Sequence, residues 1–140
     1  MTIQSLARTV VVSFCEGDAE LDEVQHLIGG RALQCMGLVC HEAVGRYKGQ
    51  QEKSWVVEVG KPSDVATVCA AAARYNQESI LVVDVDNTAK LIYSGVSPRV
   101  VKLGRVFRAD VDDGRDCTIV GDSLFVVIST EENHDEHVPA

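Results

Sequence analysis

The stretch Thr9 to Cys15, TVVVSFC, is dense in β-branched and aromatic residues and suits a pleated, largely buried strand. Directly after it the apolar period changes: Leu21, Val24, Ile28, Ala32 and Cys35 recur at steps of three and four, the spacing of one helix face. This switch from strand period to helix period occurs twice along the chain. It constrains the fold more than any other feature, because each helix must bury its apolar stripe against a sheet.

Glu16, Asp18 and Glu20 collect where a helix start favours negative charge, so the pattern predicts a helix over about 18–36. Gly29 and Gly30 mark a place where it could break, and Gly37 is its stop. Leu38 to Lys48 and Glu52 to Val59 read as two strands joined by a turn around Gly49, Gln50 and Gln51, with Glu52, Ser54, Val56 and Glu58 on one face. Ser63 is the expected N-cap of a second, alanine-rich helix that runs to about Tyr75. Ser79 to Val85 and Ala89 to Tyr93 then pair around the turn-forming Asp86, Asn87 and Thr88.

The order β-α-β-β-α-β with an extra strand predicts an α+β fold: a ferredoxin-like antiparallel sheet flanked by two helices. Val100 to Val111 and Leu124 to Ser129 supply a C-terminal β extension, to widen the sheet or reach a neighbouring subunit. The expected organisation is one domain over residues 1–130 and a disordered acidic tail, Glu131 to Ala140. His134 and His137 in that tail lack the companion ligands of a structural metal site.

Charge and composition remove several function classes. Thirteen Lys and Arg against twenty-one Asp and Glu leave a formal charge of −8, which repels a phosphate backbone. Arg99, Lys102, Arg105 and Arg108 do not share one strand face and have no interleaved aromatic run, so nucleic acid is not an expected partner. Apolar runs such as Val10–Val12, Ile80–Val83 and Leu124–Ile128 fall far short of the roughly 20 residues of a membrane helix, so no membrane partner is expected either. Residues 1–8 hold no apolar block of signal-peptide length. Five cysteines, odd in number and without a C-x-x-C pair, suit small buried hydrophobes in a reducing cytoplasm better than a disulfide framework or a zinc knuckle.

Two constellations could carry chemistry. Ile80 to Thr88, ILVVDVDNT, resembles the first motif of haloacid-dehalogenase-type phosphatases, in which the first Asp attacks phosphorus and the second is an acid or base. The closing motif of that family needs a further acidic residue, and Gly121-Asp122-Ser123 is followed by none. Only the 33 residues from Ala89 to Gly121 separate the two, too few for the crossovers of a doubly wound sheet. The residues themselves read as a hairpin turn flanked by Asp84 and Asp86.

The second constellation runs through most of the chain. V-V-V-S ending at Ser13, D-E-V at Asp22 to Val24, G-R-Y at Gly45 to Tyr47, Q-E-K-S at Gln51 to Ser54, the alanine-rich helix, I-L-V-V, and L-I-Y-S-G at Leu91 to Gly95 occur in order. In this the chain resembles the bacteriophage S-adenosylmethionine (SAM) lyases, once called SAM hydrolases, over roughly Thr9 to Gly95.

That resemblance implies a cytoplasmic enzyme of an infected host cell. It implies a homotrimer that binds SAM at subunit interfaces and, with neither metal nor cofactor, cleaves it to 5′-methylthioadenosine and L-homoserine lactone. Draining the methyl donor of host restriction-modification enzymes would be its anti-restriction service. The family's functional tyrosine falls on Tyr47 and its glutamate on Glu52, with Glu58 the competing position. Ser13, Phe14 and the backbone around Val56 are further candidates for substrate contact, while Trp55, on the opposite face, is assigned to the core. A non-catalytic ferredoxin-like trimer binding a small ligand is the alternative from another class, and a phosphatase acting through Asp84 is a lesser one.

Overall fold

A computed structural model of the chain describes residues 3–94 and 97–129. The expected acidic tail, with His134 and His137, lies outside the described residues. Ten elements follow in order: β1 (Thr9–Val12), α1 (Ala19–Cys35), β2 (Cys40–Tyr47), β3 (Gln50–Glu58), α2 (Pro62–Ala73), β4 (Ser79–Val83), β5 (Thr88–Tyr93), β6 (Arg99–Ala109), β7 (Cys117–Val120) and β8 (Ser123–Ile128). All eight strand pairings are antiparallel, and they close into a barrel in the order β1-β3-β2-β7-β8-β6-β5-β4.

The ferredoxin-like sheet is therefore corrected to a closed eight-stranded barrel with two helices outside it. The reason lies in the C-terminal third. Strand β6 pairs with β5 through Arg99–Arg105 and with β8 through Arg105–Ala109, and β7 joins β8 to β2. The sheet face away from the helices thus becomes the barrel interior, and no edge remains between β4 and β2. Gly104 makes the bend: its φ is 146°, and a Cβ there would stand 2.1 Å from the Ile128 carbonyl oxygen. Only glycine fits such a corner. A β-bulge opposite it, between Ala89 and Lys90, sharpens the turn.

Two apolar clusters share the strands by parity. Val10 and Val12 of β1, Trp55 and Val57 of β3, and Ile80 and Val82 of β4 face the helices, where Phe14, Leu33, Val68 and Ala72 join them. The alternate residues Val56, Val83, Ala89, Val106, Val120 and Phe125 fill the barrel with Ala43 and Leu6. Burial on both faces is why these strands read as near-continuous apolar runs.

Asp18 caps α1, its carboxylate accepting from the Leu21 amide at 3.0 Å. The helix does not break at Gly29 and Gly30. Both are buried under aromatic rings, and a Cβ would come within 2.2 Å of Phe14 at Gly29 and 2.3 Å of Trp55 at Gly30. The glycines lower helix propensity but let the helix approach the sheet. Helix α2 starts at Pro62 with Lys61 as N-cap rather than Ser63, and proline suits that first position because its missing N–H would go unused.

One barrel end is stoppered by the segment before β1. Leu6 is fully buried among the interior residues, with Ile3 packed beside it. Ser123 Oγ donates to the Ile3 carbonyl at 3.1 Å, Arg108 Nη1 to Gln4 Oε1 at 2.6 Å, and Ser5 Oγ to Asn87 Oδ1 at 3.1 Å.

Candidate active site

At the other end the barrel opens into a cavity of about 590 Å³. Its apolar wall comes from Val11, Leu81, Leu91, Leu103 and Val127, one residue from each of five strands. Polar groups crowd the rim: Tyr47, Glu52, Gln77, Glu78, Tyr93 and Asp116. An apolar hollow with a few convergent polar groups, in the range of roughly 300–1,000 Å³, is the usual form of a small-ligand site.

The β2–β3 hairpin places two of the rim residues. Lys48 and Gly49 take φ of 51° and 82° in a two-residue turn, so Gln50 and Gln51 belong to β3 rather than to the turn. The register pairs Tyr47 with Gln50 and Gly45 with Glu52. Residues opposed across a ladder share a face, so Tyr47 and Glu52 lie diagonally on the inner one. Opposite Glu52 stands the glycine, and a Cβ there would already press on Ser54 Oγ at 3.2 Å. Gly45 keeps space beside the carboxylate.

Ser13 directly follows β1 at the same rim. Its hydroxyl donates to the Lys53 carbonyl at 3.1 Å and accepts from the Cys15 amide at 3.1 Å, tying β1 to the strand that carries Glu52. Burial pushes the neighbouring Cys15 thiol up, a hydrogen bond with Ser13 works against this, and the charges of Asp22 and Glu52 reinforce it. A thiol held neutral is a poor nucleophile.

The cavity thus gathers Tyr47, Glu52 and Ser13, and the other three candidates lie elsewhere. Phe14 is fully buried on the helix side, edge-on to Tyr75 with ring centroids 5.1 Å apart. Val56 is buried in the interior, paired with Val11 and His41. Glu58 shares the inner face but sits six residues beyond Glu52, roughly 20 Å along the strand. There its Oε2 meets His41 Nε2 at 2.7 Å.

Glu78, Tyr93 and Asp116 went unread as site residues. Tyr93 had a signal, since period two along β5 sets Ala89, Leu91 and Tyr93 on one face. The other two had none, because they precede strands whose place in the barrel depends on distant partners. Asp84 and Asp86 flank a tight turn away from the cavity: the Asn87 amide donates to the Asp84 carbonyl at 3.0 Å and the Thr88 amide to Asp86 Oδ1 at 3.0 Å. This is the hairpin that the residues themselves suggest.

No curated protein matches the chain. The family model described as the S-Adenosylmethionine lyase family matches residues 13–128. That span includes β6, β7 and β8, beyond the stretch over which the motifs are readable by eye. The match covers most of the chain and nearly all of the barrel, and the chain belongs to the S-adenosylmethionine lyase family and is an enzyme of that class.

Proposed function

We propose that the barrel mouth binds SAM and cleaves it to 5′-methylthioadenosine and L-homoserine lactone by attack of the substrate's own carboxylate on its γ-carbon. The observation that carries this reading is the meeting of Tyr47 and Glu52 on the inner face of one hairpin, at the rim of the cavity. SAM bears a sulfonium and an ammonium, and the rim offers Glu52, Glu78 and Asp116. Glu52 holds the ammonium or a water bound to it, and the Tyr47 hydroxyl orients the attacking carboxylate.

The reaction needs no strong base. A carbon–oxygen bond forms, the carbon–sulfur bond breaks, and its electron pair leaves with a neutral thioether. What the protein supplies is a folded methionine chain with the attacking oxygen in line at about 3–3.5 Å from carbon, a proximity effect of several kcal/mol. Charge is lost on the way to the transition state, which favours the apolar wall over water.

The reading extends to an enzyme that acts without metal or cofactor in the cytoplasm of an infected host, where it depletes SAM and blunts restriction. It also includes a homotrimer with sites at subunit interfaces. Assembly is supported by a row on α1, Leu21, Val24, Leu27 and Ile28, each about half exposed despite its size.

The test is to incubate the protein with SAM in excess EDTA and follow products by chromatography with mass detection. Methylthioadenosine with homoserine lactone is expected. Homoserine appearing first would replace lactone formation with hydrolysis, and unchanged SAM would remove the metal-free reading.

A further inference from the structure

Arg46 is committed to a single loop on the outside of the barrel. It faces Cys117 across the β2–β7 ladder, and its side chain is only 13% exposed. Nη1 donates to Asp112 Oδ2 at 2.8 Å while Nη2 donates to Asp112 Oδ1, forming a two-pronged fork. Nη2 also donates to the Arg115 carbonyl at 2.7 Å. Asp112 is fixed in turn, its Oδ1 accepting from the Gly114 amide at 2.9 Å. Two residues along the hairpin, the Lys48 amide donates to Asp116 Oδ1 at 2.9 Å. The loop between β6 and β7 therefore grips the chain on both sides of Tyr47.

Tyr47 needs such a grip. It is 61% exposed, so packing does little to hold its ring. It sits at the last position of β2 before a two-residue turn, where a hairpin opens most easily. Its position over the cavity is set by the backbone that carries it, and that backbone is pinned at Arg46 from the outer face and at Lys48 by Asp116.

We propose that Arg46 and Asp112 are positioning residues of the active site, holding the end of β2 so that Tyr47 stays at the cavity rim. This rests on the reading of Tyr47 as a functional side chain. The pair remains ionised under ordinary conditions: the Arg46 fork, aided by the Gly114 amide, holds the Asp112 carboxyl down to about 2. Lysine cannot replace the fork, because an ammonium is a point donor.

A double-mutant cycle on SAM cleavage separates positioning from plain stability. Arg46→Lys is expected to lower kcat/KM about tenfold, since small misplacements of a reacting group are costly. In a Tyr47→Phe background the same change should cost less than twofold, because the group it positions is already gone. Penalties that multiply would overturn the proposal and leave Arg46 a structural residue. Full activity in Tyr47→Phe alone would overturn the reading of Tyr47, and this inference with it. Thermal melts followed by Trp55 fluorescence establish folding. If Arg46→Lys does not fold, Asp112→Asn carries the same cycle.

Discussion

Trp55 lies flat against His26, with ring centroids 4.5 Å apart and planes inclined by 12°, while its indole Nε1 donates to the His26 carbonyl at 2.8 Å. One contact thus fastens α1 to β3, the strand that bears Glu52 on its other face. His26 is fully buried, and neither ring nitrogen has a hydrogen-bond partner among the described residues.

Burial pushes the His26 pKa below its ordinary value, partly offset by Glu42, whose Oε2 lies 3.8 Å from Nε2, and by Glu23 further off, while Lys53 adds to the depression. A histidine with a depressed folded pKa binds fewer protons folded than unfolded, so stability rises with pH through the window between the two values. The contribution is complete above about pH 6.5 and is lost as pH falls below it. Thermal midpoints measured from pH 8 to pH 5 should decline on the acid side. His26→Phe, which keeps a flat ring against Trp55, should decline less; parallel curves would refute the assignment.

Glu52→Gln should reduce kcat/KM by about ten- to a hundredfold, the worth of a hydrogen bond to a charged group. Glu58→Gln should leave it within twofold, because its partner is His41 at the stoppered end of the barrel. Steady-state assays of the two variants decide between these carboxylates, and the opposite ranking would move the functional glutamate to Glu58.

Gly104→Ala should destabilise the fold by about 3 kcal/mol or more, since the new methyl would have to displace the backbone of Ile128 at a φ that alanine avoids. Urea melts provide the measure. A midpoint unchanged from the parent would mean that the barrel does not close at this corner.

Leu27→Glu with Ile28→Glu should convert the proposed trimer to monomers without unfolding them. Light scattering coupled to size exclusion reads the mass, and far-ultraviolet circular dichroism reads the fold. A parent protein that is already monomeric would end the trimer proposal.

The residues of the first two thirds carry much of the architecture openly. The β-branched run at Thr9–Val12, the acidic start of α1 at Asp18 and the hairpin from Cys40 to Glu58 are local signals, each written in neighbouring residues. Closure is not local. It turns on Gly104, one residue inside an eleven-residue strand, and on β7, four residues that become a strand only by pairing with β2 and β8. Gly29 and Gly30 mislead for a similar reason, because what they accommodate, Phe14 and Trp55, lies far off in sequence. At the site, Tyr47 and Glu52 were reachable through family motifs. Asp116 was hidden because its neighbours are known only once the barrel is closed.

Among the described residues, the segment from Ile3 to Leu6 closes the barrel end opposite Tyr47 and Glu52. Whatever enters the hollow past Tyr47 and Glu52 must leave by the way it came, since Leu6 and Ile3 block the far side. On the proposed reading, SAM and its nucleoside product are then successive tenants of one room, never present together. The next molecule waits on the departure of the last, so added nucleoside product should act as a simple competitor, overcome in full by enough substrate.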